Sequence, residues 1–256
     1  MSIRLDAITA GYDRARPIVS DVDLEIRRGE VTVLIGPNGC GKSTLLKTIA
    51  RILRPRAGRI EVDGRDALAT PAKQMGRTIA YLPQSPAVPT AISVEQLVGY
   101  GRAPHQSILG FRSPRDIEMV DRAIATTGLD ELRATPVSEL SGGQRQRAFI
   151  AMSLAQDTPY VMLDEPTTFL DIRHQFETLD LVRMLAAAGK TCIAVLHDIA
   201  QAARYGDRVV VMREGRIFAN GAPSEVITSE MIRAVYGLDC DVYPDPVSAT
   251  PVVARR

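Results

Sequence analysis

The chain has 256 residues, 45% hydrophobic and 24% charged, with 31 Lys and Arg against 30 Asp and Glu. That usage is ordinary for a globular protein, which excludes global disorder and fits one large domain or a main domain with a subdomain. A net charge of +1, 5% aromatics and no Trp leave neither a strong basic field nor a stacking platform for nucleic acid.

No apolar run is long enough to span a membrane, and the start, with Asp6 early, lacks the apolar stretch of a signal peptide. Cys40, Cys192 and Cys240 are odd in number and widely spaced. They form neither a disulfide framework nor a zinc pattern, and they fit a reducing, cytoplasmic location. No solenoid repeat is visible.

Val22, Leu24 and Ile26 alternate with Asp23 and Glu25, which predicts a strand wet on one face. Val31 to Ile35 reads as a strand buried on both faces. A Gly-rich turn follows, with Leu45, Leu46 and Ile49 at helical spacing behind it. Ile60 and Val62, between Gly58 and Gly64, predict a short hairpin strand. Thr78 to Leu82 reads as another strand, ended by Pro83.

From about Ser93 to Thr135 the pattern is helical. Ser113 caps and Pro114 opens one helix, with Ile117, Val120, Ile124 and Thr127 on one face and Gly128 as its stop. A Gly- and Pro-rich loop lies between Gly99 and Ser113. Tyr160 to Leu163 is a strand. Ile172, Phe176, Leu179, Val182 and Leu185 mark a long helix stopped by Gly189. Thr191 to Leu196 is a strand, Ile199 to Tyr205 a short helix, and Val209 to Met212 a strand before the Glu214-Gly215 turn. This alternation predicts a parallel, doubly wound sheet. The tail after Gly237, with Pro244, Pro246 and Pro251, reads as irregular or edge strand.

Gly36-Pro37-Asn38-Gly39-Cys40-Gly41-Lys42-Ser43 matches G-x-x-x-x-G-K-[ST], between a strand and a helix. Its glycines let several backbone N–H groups converge on one phosphate, and the helix start adds its positive end. Lys42 supplies charge to the β- and γ-phosphates, and Ser43 a hydroxyl to Mg²⁺. Cys40 is either an inert small residue in a crowded turn or a thiolate favoured by Lys42 and the helix start.

Val161-Met162-Leu163-Asp164-Glu165 is an apolar strand ending in two carboxylates, where parallel sheets bind ligands. Asp164 is placed to reach the Mg²⁺ shell, and Glu165 to activate the attacking water. A guanine-specific N-K-x-D is lacking, so a GTPase is disfavoured. Leu140-Ser141-Gly142-Gly143-Gln144 opens a helix about twenty residues earlier, a second helix start suited to an anion.

With the phosphate loop before it and the acidic strand after it, LSGGQ resembles the signature of the ATP-binding subunit of ABC transporters, and the likeness covers nearly the whole chain. It implies an α/β P-loop NTPase core with a mostly parallel sheet, an N-terminal antiparallel β part and a helical subdomain. One domain, 1–256, is expected, with its core at about 1–84 and 160–256 and the helical insert at about 90–158. The resemblance also implies a head-to-tail dimer with a second copy, ATP lying between one copy's phosphate loop (Gly36 to Ser43, with Thr44) and the other's Ser141, Gly142, Gly143 and Gln144.

By the same resemblance, Gln84, after Tyr81-Leu82-Pro83, is the glutamine that touches Mg²⁺ and links to the membrane subunits. His197 is the switch histidine at the γ-phosphate. Tyr12, 24 residues before Gly36, is the aromatic that stacks on adenine. Asp171 falls in the loop that crosses the dimer. Here the chain departs from many relatives, reading Thr168-Phe169-Leu170-Asp171 where they carry a Ser-Ala pair.

Within the family the chain is most similar to ferric-siderophore importers, through Asp164 to Gln175, His197 to Tyr205, Gly221-Ala222-Pro223 and Asp245-Pro246-Val247. The implied partners are separate membrane permease chains, docked through the insert and the Gly99–Ser113 loop. An extracytoplasmic binding protein belongs to the same system without direct contact, and nucleic acid is not a partner. The implied place is the cytoplasmic face of the membrane, and a large regulatory domain of the sugar-importer kind is not expected. Haem, vitamin B12 or another chelate is the alternative cargo. A soluble assembly factor is the alternative of another class.

Overall fold

The computed structural model describes residues 2–13, 16–87, 91–106 and 112–255. The chain opens with β1 (Ser2–Ala10), β2 (Val19–Arg27) and β3 (Val31–Ile35), then α1 (Lys42–Ile49). β4 (Ala57–Val62), β5 (Arg65–Asp66), α2 (Ala72–Gly76) and β6 (Ile79–Leu82) follow. Next come α3 (Val94–Tyr100), α4 (Pro114–Thr126) and α5 (Gly142–Ala155). β7 (Tyr160–Asp164), α6 (Ile172–Ala187), β8 (Thr191–Val195) and α7 (Ile199–Tyr205) restore the alternation. β9 (Arg208–Arg213), β10 (Arg216–Gly221), α8 (Pro223–Val226), α9 (Ser229–Tyr236), β11 (Cys240–Pro244) and β12 (Pro251–Arg255) complete it. The fold class is the one expected: mostly parallel strands with helices, beside an antiparallel N-terminal sheet.

The chain divides into two compact units. The first, Met1–Ala69 with Leu185–Arg256, contains an antiparallel sheet in the order β2–β1–β4–β5. β2 buries Val22, Leu24 and Ile26 and exposes Asp23 and Glu25, because period-two alternation matches a sheet with one wet face. β3 pairs parallel with both β8 and β9, and all five of its residues are buried. Burying each such Val, Leu or Ile is worth roughly 1.5–3 kcal/mol, so this strand is a fixed anchor for the loop that leaves it. β9 and β10 form a hairpin around Glu214-Gly215.

β1, β5, β10, α8 and α9 of this unit were not anticipated individually. Four-residue α8 and eight-residue α9 are too short to declare a period. The proline-rich tail is an antiparallel hairpin, β11 on β12, with Pro244 opposite Pro251 at one end. Its prolines sit where missing N–H donors cost least.

The second unit, Thr70–Met184, contains the parallel pair β6–β7 and α3, α4 and α5. Ser113 caps α4 with a reciprocal capping box to Asp116 and Pro114 at its first position. At its end Gly128 N–H donates to the Ala125 carbonyl and Leu129 N–H to that of Ile124, the paired bonds of a Schellman stop. α6 ends the same way, through Gly189 and Lys190.

Two apolar stripes are shorter than predicted. Val120, Ile124 and Thr127 are buried but Ile117 is exposed, and α6 buries Leu179, Val182 and Leu185 while Ile172 and Phe176 stand open. In α4 the buried side runs through Asp116, Met119, Val120, Ala123 and Ile124, which turns Ile117 away from it. The Gly99–Ser113 stretch is also less loop-like than predicted. Gly99 and Tyr100 belong to α3, and the next turns are tied to the end of α5 by Arg102 and His105, which donate to the carbonyls of Ala155 and Gln156 at 2.7 and 2.8 Å. The rest of that stretch, 107–111, lies outside the described residues. No described helix is long and apolar enough to cross a membrane.

Candidate functional site

In the first unit, the chain leaves β3 at Ile35 and enters α1 at Lys42. Gly36 makes the turn at φ 145°, and a Cβ there would lie 2.2 Å from the Met212 carbonyl oxygen. Only glycine lets the backbone pass this close to β9. Gly41 takes the left-handed position that starts α1. From the β9–β10 turn, Gly215 N–H donates to the Cys40 carbonyl at 3.0 Å, while the Gly215 carbonyl accepts from Ser20 N–H at 2.9 Å. The loop is therefore clamped by main chain from the β9–β10 turn, which β2 holds in its turn.

Lys42 is 5% exposed, and its Nζ donates to the carbonyls of Gly36 and Pro37 at 2.8 and 3.0 Å. The loop wraps its own ammonium, with Asn38 and Gly39 at the exposed tip and Ser43 half-buried behind. Thr44 is buried, its carbonyl accepting from the Thr48 hydroxyl at 2.7 Å. A positive charge, a helix start and convergent backbone make this an anion site. Burial pushes the Cys40 thiol up, and the pull of Lys42, 3.9 Å from Sγ, does not offset it. The structure thus favours the inert reading of this cysteine. Burial also pushes the Tyr236 phenol up to about 12, with Cys40 adding to it and the Gly36 backbone opposing. Tyr236 was not singled out from sequence.

Tyr12 is 62% exposed, as a stacking platform must be. Lys47 from α1 donates to its hydroxyl at 3.3 Å, with Nζ 5.8 Å from the ring centroid, at the edge of cation–π range. His197 follows β8 in an exposed bend. The next residue, Asp198, caps α7 by accepting from Ala200 and Gln201 N–H groups at 2.7 and 3.0 Å.

In the second unit, β7 delivers Asp164, 2% exposed, and Glu165 beyond it. The Tyr81 hydroxyl donates to Asp164 Oδ2 at 3.1 Å. Glu165 has φ 53°, a left-handed conformation that costs a non-glycine residue about 1–3 kcal/mol and clusters at functional sites. Its Oε2 accepts from Gln84 Nε2 at 2.5 Å and from the Thr168 hydroxyl at 3.2 Å. The fold thus brings together Gln84 and Glu165, 81 positions apart.

Ser141 caps α5: its Oγ accepts from Gln144 N–H at 3.3 Å, and Gln144 Oε1 accepts from Ser141 N–H at 2.9 Å. The Ser141 hydroxyl proton is thereby left as a donor beside the helix start. Ser141 and Gly142 are exposed and Gly143 is buried. Asp171 starts α6, its Oδ1 accepting from the His174 N–H at 2.9 Å and from His174 Nδ1–H at 2.7 Å. These bonds from His174, the backbone one first, hold the Asp171 carboxyl below its usual range. Phe169 lies beside it at φ 64° and 90% exposed. Tyr81, Thr168, Lys47, His174 and Gly215 all touch predicted site residues, yet none carries a spacing signal of its own.

Comparison with known proteins agrees along the chain. A family profile described as ABC transporter matches residues 19–168. The achromobactin transport ATP-binding protein CbrD of Dickeya dadantii is 48% identical over 246 residues, covering 96% of this chain and 91% of that protein. The ferric enterobactin transport ATP-binding protein FepC of Escherichia coli K12 is 44% identical, covering 98% and 93%. The ADP conformation of MJ1267, an ATP-binding cassette of an ABC transporter, superposes with a TM-score of 0.82 at 25% identity, covering 92% and 98%.

Proposed function

Because the chain belongs to the ABC transporter family, we propose that it is the ATP-hydrolysing subunit of an importer for iron–siderophore complexes. The observation that carries this reading is near full-length similarity, at 44–48% identity, to relatives named for achromobactin transport and for ferric enterobactin transport. On this reading the chain works as a dimer on membrane permease subunits at the cytoplasmic face, and ATP lies head to tail between two copies. An extracytoplasmic binding protein selects the cargo. The helical segment of about 90–158 is the permease-facing insert within the single domain.

Tyr12 stacks on adenine, and the loop from Gly36 to Thr44 holds the phosphates, with Lys42 balancing their charge. Ser141, Gly142, Gly143 and Gln144 meet the γ-phosphate from the second copy, and Asp171 lies in the crossing loop. Ser43, Gln84 and Asp164 offer hydroxyl, amide and carboxylate oxygens, a hard donor set that suits Mg²⁺ better than zinc. When bound, Mg²⁺ neutralises charge on the β- and γ-phosphates.

Glu165 accepts a proton from water as the water oxygen bonds the γ-phosphorus. The bond from that phosphorus to the bridging oxygen breaks, and ADP leaves with the electron pair. Gln84 holds the Glu165 carboxylate at rest, and His197 stabilises the transferring group.

The test is Glu165→Gln. Turnover should fall by about 10²–10⁴-fold while ATP still binds, and gel filtration with Mg-ATP should find a dimer. Near wild-type turnover would end the assignment of Glu165. For the cargo, cells lacking this chain should lose uptake of radioactive ferric siderophore and regain it on complementation; uptake unaffected by the deletion would end the transport reading.

A further inference from the structure

We propose that His174 is a positioning residue for the Ser141–Gln144 turn, its imidazole held by Asp171 and filling the place of a side chain at Gly143. The proposal deepens the reading of that turn as the surface that meets ATP on a second copy, and rests on it.

Two bonds fix the ring. Main-chain N–H and Nδ1–H both reach Asp171 Oδ1, at 2.9 and 2.7 Å. With Nδ1–H given to a carboxylate, only ring tilt remains free, and the backbone bond restricts that too. The ring then faces Gly143. A Cβ built on Gly143 would lie 2.6 Å from Cδ2, 2.8 Å from Cγ and 3.0 Å from Nε2 of His174. Gly143 is buried while Ser141 and Gly142 just before it are exposed, so the imidazole is the floor under the turn. The His174 side chain is 28% exposed against 64% for Asp171.

The consequence is mechanical. The loop that starts at Glu165 ends at Asp171, and Asp171 grips the ring that supports Gly143. One side chain therefore couples the loop carrying the water-activating carboxylate to the turn that meets the γ-phosphate. The Arg147–Glu177 contact at 3.5 Å joins the same two helices one turn further along, and the His174 ring lies against the turn itself. The floor sets how the turn is presented to ATP on a second copy, so its loss is expected in the ATP concentration that turnover needs rather than in the saturated rate.

The experiment measures ATP turnover against ATP and protein concentration, nucleotide affinity of the single copy, and thermal stability. His174→Ala should raise the ATP concentration for half-maximal turnover about ten-fold, the scale of coupling between residues in contact. Saturated turnover and single-copy affinity should move less than about two-fold. His174→Asn, which keeps a donor for Asp171, should recover part of the loss. Gly143→Ala should be severely impaired, and adding His174→Ala should restore part of its turnover by removing the colliding ring.

An unchanged concentration dependence in His174→Ala would overturn the proposal. So would a Gly143→Ala defect of equal size with and without the His174→Ala change. A Cβ at Gly142 meets nothing within 4 Å, so Gly142→Trp should keep the fold, checked by thermal unfolding, and should block the approach of a second copy. If Gly142→Trp turns over normally, the reading of the turn falls and the proposal with it. If it is inactive while His174→Ala is normal, the proposal alone falls.

Discussion

The phosphate loop and the acidic strand end solve the same problem, holding charge in place, by different means. The loop at Gly36–Ser43 is built from main chain: its carbonyls hold Lys42, and its own carbonyl at Cys40 is held by Gly215. The second unit works through side chains. Tyr81 holds Asp164, Gln84 and Thr168 hold Glu165, and Asp171 holds His174. Main-chain devices fix which positions must be glycine and at what spacing. Side-chain networks fix only that some partner of the right polarity arrives, from 3 residues away for Thr168 and His174 or from 83 and 81 for Tyr81 and Gln84.

The contrast predicts where each unit breaks. In the second unit the largest effect should come from Arg102. Its Nε donates to Asp116 Oδ1 at 2.8 Å and its Nη1 to the Ala155 carbonyl at 2.7 Å, with both charged side chains 4% exposed. Arg102→Met strands a buried carboxylate, so urea unfolding should find a loss of about 3–5 kcal/mol. A loss under 1 kcal/mol would mean that side-chain pairing does not hold this unit.

In the first unit the corresponding break is in the backbone. Gly36→Ala places a methyl 2.2 Å from a main-chain oxygen at φ 145°, which should cost roughly 3 kcal/mol and lower nucleotide affinity. Gly142→Ala has open space around its Cβ and should be neutral or stabilising by up to about 1 kcal/mol. Equal penalties for the two glycines, measured by thermal unfolding, would erase the distinction.

Acid response tests the side-chain pairing of the second unit next. Burial would raise the Asp116 carboxyl, but the Ser113 backbone N–H, the Arg102 guanidinium and the Ser113 hydroxyl together lower it from 3.8 to about 2. A carboxyl depressed on folding stabilises fully above its unfolded value and loses that contribution as pH falls through the folded one. Roughly 2 kcal/mol should therefore disappear between about pH 4 and pH 2. The onset near pH 4 should be visible in wild type and weaker in Arg102→Met; identical acid profiles would remove Asp116 as the cause.

Legibility follows the same divide. β3, the phosphate loop and α1 were readable because a buried run, fixed glycines and helical spacing lie within twenty consecutive residues. Ser113 and Pro114 declared α4, and Asp164-Glu165 declared themselves by ending an apolar strand. The support from Tyr81 and Lys47 was not readable, since each contact joins positions 83 and 35 residues apart, and Thr168, three residues from Glu165, has no spacing signal to mark its bond. Ile117, Ile172 and Phe176 kept the apolar period yet stand exposed, because periodicity alone does not fix which of its apolar positions a neighbour covers. In the proline-rich tail, pairing of β11 with β12 overrode poor local propensity.

Cys40 gives the smallest effect and isolates the side chain from the backbone within one loop. From sequence, Lys42 and the helix start could favour a thiolate; in the fold, burial wins and the thiol is raised. A raised thiol has less thiolate at neutral pH, and it is the thiolate that reacts. A small maleimide should therefore label Cys40 at least about ten-fold more slowly in the folded protein than in urea, with the rate still climbing above pH 9. Cys192 and Cys240 are buried as well, so the labelled site must be read by peptide mapping rather than from total thiol loss. Rapid labelling of Cys40 at pH 7 in the folded protein, with ATP protecting it, would reverse the order of the two effects and make this side chain an active part of the loop.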